Sequence, residues 1–242
     1  MPKRTETTAG QLPGQARIRN ILFDLDGTLA DTAPDLALAL NTLRAQEGLT
    51  PLPDEPIRLA VSNGSNALVR LGFDIPPGEP RFTALRERLL DLYQGHIASR
   101  TRLFPGMEGV LAALEQRGLC WGVVTNKPAF LTDPLMRELG LDARAACIIS
   151  GDSTTHGKPH PAPLLLACEQ VGIAPAESLY VGDAERDVEA GRRAGMHTLV
   201  ALFGYIPPRV DPAHWSADAM IETPGQLLDW LGATELGQSG LV

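Results

Sequence analysis

Cysteine is scarce in this sequence, and its three copies are widely separated. Cys120, Cys147 and Cys168 each lie within an apolar run, a pattern that fits neither a disulfide framework nor a thiolate metal site. We therefore expect buried thiols in a reducing compartment. The segment from Met1 to Arg19 lacks the apolar stretch of a signal peptide, and no run is long and apolar enough to span a bilayer. The sequence predicts a cytoplasmic protein without a membrane partner.

Positive charge is also scarce. Lysine and arginine together number 21 against 29 aspartates and glutamates, so the formal net charge is -8. Nucleic-acid phosphates are held by clustered lysines and arginines, and because no such cluster is present we expect no nucleic-acid partner. An acidic protein can still bind a small anion where a metal ion or a few cations reverse the local potential.

Two catalytic signatures are missing as well. The sequence contains neither the Gly-x-Ser-x-Gly turn of many serine hydrolases nor the Gly-Lys-Thr signature of phosphate-binding loops. Serine hydrolases and nucleoside triphosphatases therefore lose support as function classes.

What the sequence does contain is an alternation of short apolar runs with stretches of helical spacing. This alternation predicts an α/β fold with a doubly wound parallel sheet. The predicted strands are Ile21 to Phe23, Trp121 to Val124, Cys147 to Ile149, Leu179 to Val181 and Thr198 to Leu202. The predicted helices are Met107 to Arg117, Leu131 to Leu139, Pro163 to Val171 and Asp187 to Ala194.

Residues 31–102 interrupt this alternation with helical patterns and no convincing strand. The patterns cover Leu36 to Glu47, Ile57 to Val69 and Phe82 to His96. We interpret the stretch as a helical insertion after the first strand, and expect residues 19–30 and 103–231 to form the core domain. The end segments 1–18 and 232–242, rich in polar and small residues, are predicted to be loosely held.

Polar clusters follow the apolar runs, where open α/β sheets bind their ligands. Asp24 and Asp26 alternate on an extended chain before a turn at Gly27, so both carboxylates can approach one ligand. Paired carboxylates suit nucleophilic and acid/base roles. An ordinary solvated turn is the alternative, whereas a Ca²⁺ loop is excluded because Leu29 stands where that loop requires glycine.

A second acidic pair, Asp183 and Asp187, follows another apolar run. Together with Asp24 these residues can supply the hard oxygen ligands that Mg²⁺ prefers. The alternative is that Asp183 caps the helix that follows it, and both interpretations can hold at once.

Two further clusters offer groups to an anion. Thr125 and Asn126 end a predicted strand and present a hydroxyl, an amide and backbone N–H groups, although a plain turn has the same composition. Lys158 lies between Gly157 and Pro159, in a stiff loop that can direct its ammonium group. An isolated lysine is usually a solvated charge, but a transferring phosphoryl group needs positive charge around its oxygens.

In the insertion, the segment Ser62 to Asn66 interrupts a helical pattern with polar side chains and a glycine. Asn63, Gly64 and Ser65 can present backbone N–H groups to a carboxylate or a sugar hydroxyl. We predict a substrate-specificity loop here, with an ordinary helix junction as the alternative.

The order of these clusters resembles that of the haloacid dehalogenase-like (HAD) phosphatases, and the insertion resembles the small helical cap of that family. The resemblance extends from about residue 20 to residue 231 and rests on four motifs: Asp24-x-Asp26-Gly27-Thr28, Thr125, Lys158, and Gly182-Asp183 with Asp187.

The resemblance implies a two-step mechanism. Asp24 would attack phosphorus to form an aspartyl-phosphate, and Asp26 would protonate the leaving oxygen and then activate water. Mg²⁺ would be held by Asp24, Asp183 and the backbone carbonyl of Asp26, with Asp187 orienting these ligands. The phosphoryl oxygens would bind to Thr125, Asn126 and Lys158.

The resemblance also suggests a substrate. The segments Leu22 to Leu29, Val124 to Pro128 and Lys158 to Pro161 are similar to the bacterial phosphoglycolate phosphatases. Tyr205-Ile206-Pro207 is more similar to the N-acetylmuramic acid 6-phosphate phosphatases. We expect a small phosphate ester as partner, and a monomer or homodimer. One departure is Ala184-Glu185-Arg186, where a small polar residue often follows the motif aspartate.

Other functions use similar parts. Receiver domains of signalling relays also combine a phosphorylated aspartate, Mg²⁺, a hydroxyl and a lysine, but they lack a cap and an aspartate in the position of Asp26. A phosphosugar mutase would return the phosphate to a sugar through Asp26, and an inactive relative would only bind. A dehalogenase needs neither the second aspartate nor a metal.

Overall fold

The apolar runs form the strands of the sheet, as the sequence predicts. The computed structural model describes residues 17–239, with side chains through residue 233. Of the predicted loose ends 1–18 and 232–242, residues 1–16 and 240–242 lie outside the described residues. The strands are β1 (Asn20–Phe23), β2 (Ala30–Asp31), β3 (Arg102–Leu103), β4 (Cys120–Val124), β5 (Ile148–Ile149), β6 (Ser178–Gly182), β7 (His197–Ala201) and β8 (Ala219–Ile221).

Nine helices connect or flank these strands within residues 17–239. They are α1 (Ala33–Gln46), α2 (Asp54–Val61), α3 (Gly64–Phe73), α4 (Pro80–Gly95), α5 (Met107–Gln116), α6 (Ala129–Glu138), α7 (Ala162–Val171), α8 (Glu185–Ala194) and α9 (Gln226–Ser239). None of the helices in this part of the chain has the length and apolarity needed to cross a lipid bilayer.

Six strands form one parallel sheet in the order β5-β4-β1-β6-β7-β8. Successive side chains of β1 point to opposite faces, so Ile21 and Phe23 join one hydrophobic cluster and Leu22 joins the other. The first cluster includes residues of α5 and α6, and the second includes residues of α7 and α8. Helices therefore cover both faces, which confirms the doubly wound α/β fold.

The inserted helices α1 to α4 pack against one another and bury their own apolar side chains. Leu40, Ile57, Val69 and Leu89 are fully buried among them. The chain enters and leaves this unit through β2 and β3, which pair in antiparallel register, with Ala30 opposite Leu103. We refer to α1–α4 as the cap and to the six-stranded sheet with its helices as the core.

Several local predictions need correction. The sequence predicts no strand in residues 31–102, but Asp31 of β2 and Arg102 of β3 pair where the two connections between core and cap run side by side. The pattern from Ile57 to Val69 predicts one helix. It forms two, α2 and α3, because the chain turns at Gly64, whose φ is 74°.

Two further features were not predicted. β8 was missed because it has only three residues, one of them buried. Helix α9 extends to Ser239, so helical backbone continues past Gly232 into the segment expected to be a loosely held tail.

Candidate active site

Three neighbouring strands of the sheet are each followed by a predicted site residue. Asp24 directly follows β1, Thr125 follows β4 and Asp183 follows β6. Because β1 pairs in parallel with both β4 and β6, these strand ends lie at one edge of the sheet. All three side chains are buried. The fold thus brings together residues that are 58 to 159 positions apart in the chain, as the sequence analysis expected.

Asp24, Asp183 and Asp187 form a buried acidic cluster, in which one carboxylate oxygen of each lies within 4.8 Å of the others. Asp183 Oδ2 accepts hydrogen bonds from the Tyr205 N–H at 2.8 Å and the Ser62 hydroxyl at 3.1 Å. Asp183 Oδ1 is buried without a hydrogen-bond partner. Burial, and then the charges of Asp187 and Asp24, raise the pKa of Asp183 to about 7. The cluster therefore holds negative charge that a cation would stabilise.

Lys158 is the cation inside this cluster. Its Nζ lies 2.9 Å from Asp24 Oδ1 and 2.8 Å from Asp187 Oδ1, and it donates to the Tyr180 hydroxyl at 2.7 Å. Burial opposes the charged form, but Asp187 and Asp24 outweigh it and raise the pKa of Lys158. Lys158 is therefore a charged group within the protein and not a solvated surface lysine.

Asn126 aligns the loop that carries Lys158. Its side-chain Oδ1 accepts the Lys158 N–H at 2.8 Å, and its Nδ2 donates to the Lys158 carbonyl at 2.9 Å. The Asn126 side chain, which the sequence predicts to contact phosphate, thus forms its hydrogen bonds with the backbone of Lys158, the other predicted phosphate ligand. Asn126 nevertheless lines the same cavity as Thr125 and Asp24.

Asp26 lies in a different electrostatic environment from Asp24. Its Oδ1 accepts a hydrogen bond from the Thr32 hydroxyl at 2.5 Å and forms an ion pair with Lys127 Nζ at 2.9 Å. The Lys127 ammonium also lies 4.5 Å from the centre of the Tyr93 ring, which belongs to the cap. The two carboxylates therefore have separate cationic partners, Lys158 for Asp24 and Lys127 for Asp26.

A cavity of about 400 Å³ lies between the core and the cap. This volume is typical of small-ligand sites. On the core side it is lined by Asp24, Asp26 and Thr125, and on the cap side by the predicted specificity loop with its residues Asn63 and Ser65. Gly64 lines the same side. The structure therefore brings the loop and the two carboxylates to one cavity.

The cap contacts the core directly at the cavity. The Arg186 guanidinium of α8 donates to the carbonyl of Ser62 at 2.6 Å, while the Ser62 hydroxyl donates to Asp183. On the cap itself, Arg86 Nε of α4 donates to Ser65 Oγ at 2.9 Å. Both arginines line the cavity.

Asp183 is enclosed by the loop after β7. A Cβ atom at Gly204 would overlap the Asp183 side chain, and a Cβ at Gly27 would overlap both Asp183 and the Tyr205 ring. The Tyr205 hydroxyl donates to Asp31 at 2.7 Å, at the start of the connection to the cap. Glycine is therefore required at both positions by the close approach of these segments.

Sequence reasoning missed several residues of the site: Arg86, Tyr93, Lys127, Arg186 and Tyr205. Ser62 was included in the predicted loop, but its hydrogen bond to Asp183 was not predicted. Lys127 had a usable signal, since it adjoins Thr125 and Asn126 at a strand end. The alternative in which Asp183 caps α8 is wrong. The helix begins at Glu185 after the N-cap residue Ala184, whose N–H donates to Asp187 Oδ2 at 3.0 Å.

Comparison with known proteins agrees with this geometry. Residues 21–201 match the family model described as haloacid dehalogenase-like hydrolase. The chain is 44% identical over 215 residues to the N-acetylmuramic acid 6-phosphate phosphatase of Pseudomonas aeruginosa, covering 89% of this chain and 95% of the relative. It is 42% identical over 209 residues to the phosphoglycolate phosphatase of Xanthomonas campestris, covering 86% and 94%.

Among solved structures, the chain is similar to a predicted phosphoglycolate phosphatase from Haemophilus somnus. The TM-score is 0.79 at 28% identity, and the match covers 89% of this chain and 99% of that one. The chain belongs to the haloacid dehalogenase-like hydrolases.

Proposed function

We propose that this hydrolase is a Mg²⁺-dependent phosphomonoesterase acting through an aspartyl-phosphate on a small ester, either 2-phosphoglycolate or N-acetylmuramic acid 6-phosphate. The observation that carries the proposal is the pair Asp24 and Asp26, two carboxylates on one cavity with separate lysine partners. The choice of esters is supported by the names of the relatives.

Asp24 is the nucleophile. Its Oδ1 accepts a hydrogen bond from the Leu25 N–H at 2.7 Å and forms an ion pair with Lys158 Nζ. Oδ2 therefore remains available to attack phosphorus. Burial raises the pKa of Asp24, and the Lys158 ammonium opposes that shift, which favours the ionised form that attack requires.

Asp26 is the general acid and then the general base. Thr32 and Lys127 both hold its Oδ1, which orients the carboxyl group and leaves Oδ2 for proton transfer. It gives a proton to the leaving oxygen as the P–O bond breaks. It then takes a proton from the water that attacks the aspartyl-phosphate and restores Asp24.

The acidic cluster fits a hard divalent cation, because it offers only oxygen ligands and leaves the buried Asp183 Oδ1 without a partner. Asp24, Asp183 and the backbone carbonyl of Asp26 would hold Mg²⁺, which when bound neutralises phosphate charge beside the nucleophile. Asp187 orients these ligands, because it accepts a hydrogen bond from the Ala184 N–H, next to Asp183, and forms an ion pair with Lys158.

Phosphoryl oxygens are bound by Thr125, the backbone of Asn126 and Lys158. The Asn126 side chain acts indirectly, by fixing the Lys158 loop. These donors are pre-arranged before substrate binds, which is how electrostatic stabilisation lowers a phosphoryl-transfer barrier.

Turnover of defined esters tests the proposal. Purified protein with Mg²⁺ is offered 2-phosphoglycolate, N-acetylmuramic acid 6-phosphate and hexose phosphates, and free phosphate and sugar isomers are both quantified. We expect phosphate release from one of the first two esters, and none from a folded Asp24→Asn variant. Isomer formation without phosphate release would indicate a mutase, and phosphate release by Asp24→Asn at the wild-type rate would remove the nucleophile assignment.

A further inference from the structure

We propose that Arg86 binds a carboxylate on the leaving group of the substrate, and that this cap arginine selects acidic esters over neutral ones. The inference rests on the proposed function for the identity of the reaction, but the carboxylate contact itself is a separate property of the cavity.

Within the part of the chain that the structure describes, three cationic side chains line the cavity, and two of them already interact with the core site. Lys127 forms an ion pair with Asp26. Arg186 donates to the Ser62 carbonyl, and the charges of Asp187, Asp24 and Asp183 act on it from nearby, raising its pKa against the opposing effect of burial. Both cations therefore offset the negative charge of the core.

Arg86 is different because its hydrogen-bond partner is neutral. Its Nε donates to the Ser65 hydroxyl, and among the residues that the structure describes no carboxylate lies within ion-pair distance of its guanidinium. The side chain is half-buried in the wall of the cavity. It therefore brings to the cavity a positive charge that pairs with no carboxylate of the described residues.

The hydrogen bond to Ser65 orients the Arg86 guanidinium. With Nε held by Ser65 Oγ, the planar guanidinium keeps both terminal nitrogens for another acceptor. Two parallel N–H groups match the two oxygens of a carboxylate. Ser65, predicted as a direct substrate contact, is then a positioning residue for Arg86.

The charge distribution selects the ligand class. Among the described residues, the carboxylates that line the cavity are Asp24 and Asp26 of the core, and the cap side contributes Arg86 with no acidic residue. An ester that places its phosphate at the core and an anion at the cap complements both sides. A single guanidinium neutralises one carboxylate, whereas a second phosphate would carry about −1.5 to −2 charges.

Two sugar phosphates provide a matched test, because N-acetylglucosamine 6-phosphate lacks only the lactyl ether that gives N-acetylmuramic acid 6-phosphate its carboxylate. We expect Arg86→Gln to lower kcat/KM for the muramic ester by roughly 10- to 100-fold, the range for a hydrogen bond to a charged group. The glucosamine ester should be unaffected, and Arg86→Lys should recover part of the loss.

A control arginine lies on the same helix. Arg88 forms an ion pair with Glu47 at 2.6 Å and does not line the cavity, so Arg88→Gln should leave the preference between the two esters unchanged. Equal losses on both esters in Arg86→Gln, or no loss on either, would overturn the inference.

Binding separates this inference from the proposed function. Calorimetric affinities of both esters are measured in an Asp24→Asn background, with and without Arg86→Gln. We expect tighter binding of the muramic ester, and loss of that preference with Arg86→Gln. If Asp24→Asn binds the muramic ester more tightly than the glucosamine ester but the wild type hydrolyses neither, only the phosphatase proposal is refuted. If the wild type hydrolyses the esters but Asp24→Asn binds both equally with and without Arg86→Gln, only the role of Arg86 is refuted.

Discussion

Ser62 donates its hydroxyl to Asp183 Oδ2 at 3.1 Å, so a cap residue hydrogen-bonds to a carboxylate of the core. Loss of this bond in Ser62→Ala should lower the unfolding free energy by about 1 kcal/mol. It should also raise KM several-fold for the natural ester, because the cap loop is held less firmly over the cavity. Denaturant unfolding and steady-state kinetics measure the two effects. Ser99→Ala, at an exposed position between α4 and β3, is the control, and equal effects in both variants would argue against a special role for Ser62.

Asp26→Asn should retain the first chemical step and lose the second. The amide cannot activate water, but Asp24 keeps its Lys158 partner and can still attack an ester with a good leaving group. We expect acid-quenched protein to carry covalent phosphate after mixing with an aryl phosphate. An Asp24→Asn/Asp26→Asn double variant should carry none. Absence of label in every Asp26→Asn experiment would contradict a covalent intermediate.

Mg²⁺ should stabilise the protein independently of turnover. A ligand present at 100 times its Kd stabilises the folded state by about 2.7 kcal/mol, which a thermal melt detects. The gain should be larger at pH 8 than at pH 6, because the pKa of Asp183 is raised to about 7 and a ligand carboxyl binds metal in its ionised form.

Asp183→Asn is the matched variant for the metal experiment. It removes one charge from three buried carboxylates, so the metal-free protein should melt no lower than the wild type. Its melting temperature should no longer respond to Mg²⁺. An undiminished response would place the cation elsewhere.

Lys158→Ala should reduce kcat by about 100-fold or more, the cost of removing one donor from a pre-arranged site. The variant also leaves Asp24 and Asp187 without their shared cation, so it should be less stable. Kinetics are therefore compared at a temperature where circular dichroism shows both proteins folded. A folded variant with wild-type kcat would restrict Lys158 to a structural role.

Lys127→Gln should be impaired through Asp26. Both side chains are mostly buried, and removing one partner of such a pair commonly costs about 3 to 5 kcal/mol of stability. Lys127→Arg keeps the charge and should recover part of the activity. Acid-quench labelling distinguishes a catalytic from a structural effect, because a folded Lys127→Gln variant with a displaced Asp26 should accumulate covalent phosphate as Asp26→Asn does. Labelling no greater than in the wild type would limit Lys127 to stability.

The core side of the site was predictable because the end of a buried strand is marked in the sequence by polar residues after an apolar run. Asp24, Thr125 and Asp183 each follow an apolar run, and parallel strands bring their carboxyl ends to one edge of the sheet. The positions of the strands in the sheet, and not the number of residues between them in the chain, decide which strand ends lie together. The fold class followed from the same alternation of strands and helices.

The contacts between cap and core were not predictable in the same way. Ser62, Arg86 and Arg186 meet at the cavity because of how α1–α4 are oriented over the sheet, and periodicity within each helix does not specify that orientation. Asn126 illustrates a further limit. Its residue type indicated an anion ligand, but only the path of the Lys158 loop shows that its amide is used by backbone groups.

The enclosure of Asp183 by Gly204 and Tyr205 bears on how the protein is made. The loop that holds Asp183 is translated well after Asp24, because Tyr205 follows Asp24 by 181 positions. At typical synthesis rates of about 5–20 residues per second, roughly 10 to 40 seconds separate the translation of these two segments. A nascent chain without residues 204–205 cannot hold Asp183 as the finished protein does. Assembly of the acidic cluster thus requires translation beyond β7, before β8 and α9 of the core have been made, and a ribosome-bound fragment ending before β7 carries an incomplete site.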